Sequence, residues 1–189
     1  MKIEIHTKTE VETEPVDLAE AKNYLKLPSG STADDDLITE LITASRQELE
    51  GYTGLGFAPR TIQVYWEGSK KFDLPLPPQY DDTIGQTIYR VYNDDTADEL
   101  LTENSDYYIT GMTYKVADMN DFWSTGTTTV TGYKIEYITG YATLPKALKE
   151  ALLKTINYNY YNRGDEDLFT GLPNEVKLMV RPYKLNQWV

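Results

Sequence analysis

Carboxylates are the residues of this chain best suited to chemistry, and they gather in two places. Asp34-Asp35-Asp36 has the composition of a metal site. Adjacent residues project in different directions, however, and the alternating oxygen ligands and central glycine of a calcium loop are missing. Acids in a first helical turn complement the helix dipole, which is the reading this triplet favours. Asp94, Asp95, Asp98 and Glu99 follow Asn93 between two strand-like segments. A pair of them could serve glycoside hydrolysis if folding set the required separation, but a solvated hairpin turn accounts for them as well. Gly54-Leu55-Gly56 begins like a nucleotide-binding loop, yet it follows a helix and the third glycine is absent. Arg163-Gly164-Asp165 reads as a glycine just past a helix end. His6 is the one histidine and cysteine is absent. A Ser-His-Asp triad, a multi-histidine zinc site, thiolate ligands and disulfides therefore lack their residues.

The aromatic content is skewed: 16 Tyr stand against 4 Phe and 3 Trp. Three uses are open. Tyrosine suits half-buried pleated surfaces, it can build an aromatic face for sugars, and it anchors interfaces because it buries area at low entropic cost and keeps a polar tip. Tyr158, Tyr160 and Tyr161, interleaved with Asn157, Asn159 and Asn162, cover nearly all sides of one helix end. One side can face the protein's own core and the rest require water or a partner. These tyrosines are candidate subunit-interface residues.

The elements that would position these groups are legible from periodicity. A first helix opens at Val16-Asp17-Leu18-Ala19-Glu20-Ala21-Lys22, with Asp17 as cap and Glu20 three residues on; Leu18, Ala21 and Leu25 share a face, and Pro28-Ser29-Gly30-Ser31 ends it. A second follows Asp36 through Leu37, Ile38, Leu41, Ile42, Ser45, Leu49 and Tyr52, stopping at Gly54. A third starts near Pro145 and runs through Leu148, Ala151, Leu152, Ile156 and Tyr160 towards Gly164. Between the second and third, 61–66, 72–76, 87–92, 107–110, 113–116 and 127–138 read as strands. A short apolar helix over 174–180 precedes an extended tail ending in Trp188. The expected fold is α+β: a small helical bundle from the N- and C-terminal helices, residues 1–57 and 141–189, with a β-rich insertion over 58–140.

Charge bounds the partners. Eighteen Lys+Arg against 30 Asp+Glu give a net charge of -12. Gripping nucleic acid requires clustered cations on phosphates, which this balance opposes. Residues 81–121 hold ten Asp/Glu against two Lys/Arg, a local -8, while 145–189 hold five against seven, a local +2. No segment approaches the roughly 18 apolar residues of a membrane span. None resembles a signal peptide either, so the expectation is a protein that stays where it is made.

Several of these pieces, in order, resemble the head-tail connector (adaptor) proteins of long-tailed bacteriophages. The first helix from Val16 to Lys22 with Leu25, the acidic turn, and the long helix through Leu37-Ile38 and Arg46 to Tyr52-Thr53-Gly54 are similar to the N-terminal half of that family. So are Leu74-Pro75-Leu76-Pro77-Pro78, Ile135-Glu136-Tyr137-Ile138-Thr139-Gly140-Tyr141 with Leu144-Pro145, Tyr161-Asn162-Arg163, and the closing Val180-Arg181-Pro182-Tyr183. The resemblance implies no enzyme activity and no cofactor. It implies a virion neck protein, assembled in the host cytoplasm, that forms a homo-oligomeric ring of about a dozen subunits below the portal protein. Such a ring extends the DNA channel and offers a platform to further neck or tail-completion proteins. On that reading Leu178, Met179, Arg181, Tyr183 and Trp188 are candidate portal-docking residues, and Asp94, Asp95, Asp98 and Glu99 candidate channel-facing acids past which DNA slides without specific binding. The competing expectation is a carbohydrate-binding or glycoside-processing module on a Tyr-rich β surface.

Overall fold

In the computed structural model, the described residues are 2–28, 30–67, 71–78, 87–92, 97–103, 105–110, 115–118, 130–163 and 171–185. Helix α1 spans Leu18–Tyr24, and Asp17 caps it by accepting the Glu20 backbone N–H at 2.7 Å. It stops earlier than the Pro28 boundary: Leu25 closes it, and Lys26 turns the chain with a φ of 58°. Helix α2 spans Asp35–Thr53 and ends at Gly54, whose φ of 75° is the left-handed conformation that glycine adopts without a Cβ clash. Helix α3, Lys146–Tyr161, starts just after Pro145, and α4 is Asn174–Val180. The chain beyond α4 is not an extended tail: Arg181–Tyr183 form a 3-10 turn.

These helices share one apolar core. Leu25, Ile38, Ile42, Leu49, Leu148, Leu152, Ile156, Val176 and Val180 are all at most 3% exposed within it. Their spacing is the helical one, which is why the sequence revealed them.

The strands form a second unit with its own core. They are β1 (Lys2–Thr7), β2 (Arg60–Glu67), β3 (Lys71–Asp73), β4 (Thr87–Tyr92), β5 (Glu99–Leu100), β6 (Tyr107–Thr110), β7 (Lys115–Asp118) and β8 (Val130–Thr139). Among the described residues they make an antiparallel five-stranded sheet in the order β1-β2-β8-β4-β5 and a three-stranded one in the order β3-β7-β6. The larger sheet buries one face. Ile62, Val64 and Trp66 on β2 stand opposite Tyr137, Ile135 and Tyr133 on β8, with Ile88 beside them on β4. Trp66 stacks on Tyr133 at 5.2 Å between ring centroids. The Tyr137 hydroxyl donates to the Pro75 carbonyl, and burial pushes its pKa well above the usual tyrosine value.

The expected unit 1–57 is corrected at its start. Met1–Glu10 group with Pro59–Thr139, and Val11–Ala58 with Gly140–Val189. The reason is the alternation in Ile3-Glu4-Ile5-His6, which pairs β1 to β2 in the register Ile3↔Trp66 and Ile5↔Val64.

Gly132 sits where β8 passes β2 and where the β4–β8 register slips by one residue near Val91/Tyr92. A Cβ placed there would lie 2.5 Å from the Trp66 carbonyl oxygen, a backbone atom fixed by strand pairing. Gly132→Ala is expected to destabilise the fold by about 1–3 kcal/mol, read as a lowered midpoint in thermal unfolding; an unchanged midpoint would show that the strand gives way freely there.

Candidate functional site

The acidic triplet is divided among separate tasks. Asp35 pairs with the buried Lys22 ammonium at 2.7 Å, and that ammonium also donates to the Ser31 carbonyl, tying α1 to the start of α2. Asp34 accepts the Tyr160 hydroxyl at 2.6 Å and lies 4.0 Å from Arg163. Asp36 is exposed in the first turn of α2. Among the described residues no group of three or more His, Asp or Glu is placed to hold a metal ion.

Of the channel-facing candidates, Asp94 and Asp95 lie outside the described residues. Asp98 pairs with Lys134, whose ammonium also sits 4.3 Å over the Tyr89 ring. Glu99 pairs with Arg90 at 2.5 Å and accepts the Tyr92 hydroxyl. The Tyr92 hydrogen bond, aided by Arg90, holds the Glu99 carboxyl below the usual carboxylate range. Both acids are therefore neutralised within their own sheet.

The docking candidates divide by burial. Val176 and Val180 anchor α4 in the helical core, Met179 and Tyr183 pack against its margin, and the Leu185 amide donates to the Thr53 carbonyl at 2.9 Å. Lys184 lies over the Tyr52 ring at 4.3 Å. The C-terminal segment thus folds back on its own helices at least to Leu185. Leu178 is 67% exposed and Arg181 is exposed, so these two remain presented; Trp188 lies outside the described residues.

The three tyrosines at the end of α3 part company as well. Tyr160 is buried, with its hydroxyl on Asp34 and Arg163 over its ring at 4.5 Å. Its pKa is raised, first by the hydrogen bond to Asp34 and then by burial. Tyr161 is 61% exposed although its hydroxyl donates to the Leu25 carbonyl, and Tyr158 is half-buried. Among the strand tyrosines, Tyr107, Tyr133 and Tyr137 are buried, so they offer no open face for a sugar.

Sequence reasoning missed the two outer strands of the larger sheet. Ile3 and Ile5 on β1 and Leu100 on β5 are exposed at 42%, 46% and 59%. The period-two pattern of Ile3 and Ile5 was the available signal for β1; two residues of β5 carry none.

No protein-family model matches the chain, and no curated protein does. Three solved structures share its fold over 98% of this chain and 97% of theirs. They are the neck of an empty gene transfer agent particle computed with C6 symmetry (TM-score 0.76, 16% identity), the virion of a native gene transfer agent particle (0.74, 16%), and the neck of a native particle computed with C12 symmetry (0.72, 15%). At such identity the likeness is one of fold, and it agrees with the resemblance to head-tail connectors read from the sequence.

Deleting residues 173–189 should lower the unfolding free energy by at least about 3 kcal/mol, since Val176 and Val180 each contribute about 1.5–3. Leu178→Ser should stay within about 0.5 kcal/mol of the parent. Urea titration of both variants measures this; a deletion as stable as the parent would mean that α4 is not part of the core.

Proposed function

We propose that the chain is a structural neck protein of a phage-like particle, a head-tail connector that forms a ring below the portal and carries the DNA channel onward. The observation that supports this most is the near end-to-end fold match to neck assemblies with sixfold and twelvefold symmetry. A partial match could come from a common helical motif, but one that covers both units of the chain has to reproduce their order and connections. The reading makes the protein a non-enzymatic component, located at the virion neck after assembly in the host cytoplasm.

Within this reading the helical unit supplies a compact core from residues 11–58 and 140–189, and the strand unit joins β1 to the strands inserted between α2 and α3. Leu178 and Arg181 on the outward side of the C-terminal segment are the portal contacts we favour, because α4 is held by Val176 and Val180 while Leu178 projects. Further neck or tail-completion proteins would meet the opposite end of the ring. About a dozen copies at -12 each surround a duplex bearing one phosphate per roughly 1.7 Å. Such a wall repels DNA, and the genome passes without being held. With Asp98 and Glu99 already paired to Lys134 and Arg90, the repulsion would draw more on other acids of the chain.

Electron micrographs of the purified protein mixed with its portal test the proposal. The expected images show a ring stacked on the narrow end of the portal, and Leu178→Ser should reduce the decorated fraction. Portals without added density at saturating protein would contradict it.

A further inference from the structure

Among the described residues, five large apolar side chains are exposed: Ile3, Ile5, Leu100, Tyr161 and Leu178. Three of the five lie on β1 and β5, the two outer strands of one sheet. Outer strands present unpaired backbone N–H and C=O groups, and monomeric proteins cover or guard such edges. Among the described residues, β5 is guarded only by its two-residue length and β1 only on the face of Glu4 and His6, while Ile3 and Ile5 leave its other face open. Every residue from Ile3 to Glu10 is exposed, and no described strand lies beyond β1 or beyond β5. The acids flanking the β5 edge, Asp98 and Glu99, are neutralised by Lys134 and Arg90 and so do not repel an approaching strand.

We propose that neighbouring copies of this chain join through these edges, with β5 of one copy beside β1 of the next, so that the five-stranded sheets run on from subunit to subunit. The inference rests on the ring proposed above and specifies how that ring closes. A cyclic ring needs two different surfaces that fit each other, one on each side of the subunit. The sheet has such a pair at its opposite ends. Every neighbouring pair within it is antiparallel, so the first and fifth strands run the same way. Repeating the sheet side by side therefore sets β5 and the next β1 parallel, whereas a two-fold dimer would pair β1 with β1 antiparallel.

The side chains fit this arrangement. Ile3 and Ile5 stand on the face that carries Trp66 and Val64, but the core of their own copy leaves them nearly half exposed. Leu101, which is buried and bonded through its amide to the Ile88 carbonyl at 2.8 Å, follows directly on β5. A neighbour's β1 alongside would continue that apolar layer with Ile3 and Ile5. On the other face, Leu100 is opposite Tyr89 and would meet Glu4 and His6 of the next copy.

The absence of cysteine makes the test clean. Adjacent strands lie about 4.8 Å apart, within the Cα separation of a disulfide. The variants Glu4→Cys/Leu100→Cys and His6→Cys/Leu100→Cys, assembled on the portal and mildly oxidised, should give a ladder of covalent multimers on non-reducing gels. The three single-cysteine variants should stay monomeric. Ile3→Lys/Ile5→Lys should keep the thermal midpoint of the parent and lose ring formation. Dimers from the Glu4→Cys or His6→Cys single variants would mean a two-fold contact and overturn the proposal. Rings that form from all variants without any ladder would overturn it while leaving the ring itself intact. No ring from the unsubstituted chain would overturn both.

Discussion

One buried guanidinium organises the helical unit. Arg46 lies in the middle of α2 with 5% of its side chain exposed, between Glu14 and Glu50. Its Nε and one terminal nitrogen donate to the two Glu14 oxygens at 2.7 and 3.2 Å, and the other terminal nitrogen donates to Glu50 at 2.9 Å. The second Glu50 oxygen accepts the Phe57 amide at 2.7 Å, and Glu14 also accepts the Thr43 hydroxyl at 3.0 Å. Burial alone would lower the Arg46 pKa. The Glu14 hydrogen bonds and the charges of both carboxylates outweigh it and hold the pKa above its ordinary value. Taking such charges out of water costs several kcal/mol per ion, and is offset only where geometry and hydrogen bonding are near complete. The cluster meets that condition, and in doing so it fixes to α2 both the segment that follows β1 and the segment that leads to β2. Helix packing supplies most of the unit's stability; this cluster determines where the chain enters and leaves it.

The strand unit is specified differently. Its larger sheet is fixed by alternation on β2, β4 and β8, by the Trp66–Tyr133 stack, and by Gly132 at a point where backbone approaches too closely for a side chain. Its ion pairs, Arg90–Glu99 and Lys134–Asp98, are half in water, where such pairs contribute little. They matter more for what they remove, namely negative charge at a sheet edge. In the proposed ring, this would let a chain with a net charge of -12 meet copies of itself at that edge while its other acids face the DNA.

Much of this was legible in the sequence because period and capping are local. Ile38, Ile42 and Leu49 announce α2, Gly54 its end, and Asp17 the start of α1. The strand over 87–92 follows from alternating, β-branched and aromatic residues between turn signals. What stayed hidden is long-range. Arg46 looks like any surface arginine until Glu14, 32 residues earlier in an irregular stretch, is brought against it. Tyr160 and Tyr161 are neighbours of the same type, yet one is buried on Asp34, 126 positions earlier in the chain, and the other is exposed. The C-terminal segment read as an extended tail because nothing local says that Thr53 will accept its Leu185 amide.

The Glu14–Arg46–Glu50 cluster is what fixes the chain to α2 on either side of that helix. A double-mutant cycle on Glu14 and Arg46, followed by urea denaturation, addresses it most directly. Arg46→Ala should lower the unfolding free energy by about 3–5 kcal/mol, because two carboxylates are left without their cation. Glu14→Ala added to that variant should cost far less than it does in the parent, a coupling of at least about 1 kcal/mol. Additive losses, or a loss below about 1 kcal/mol for Arg46→Ala, would contradict the claim.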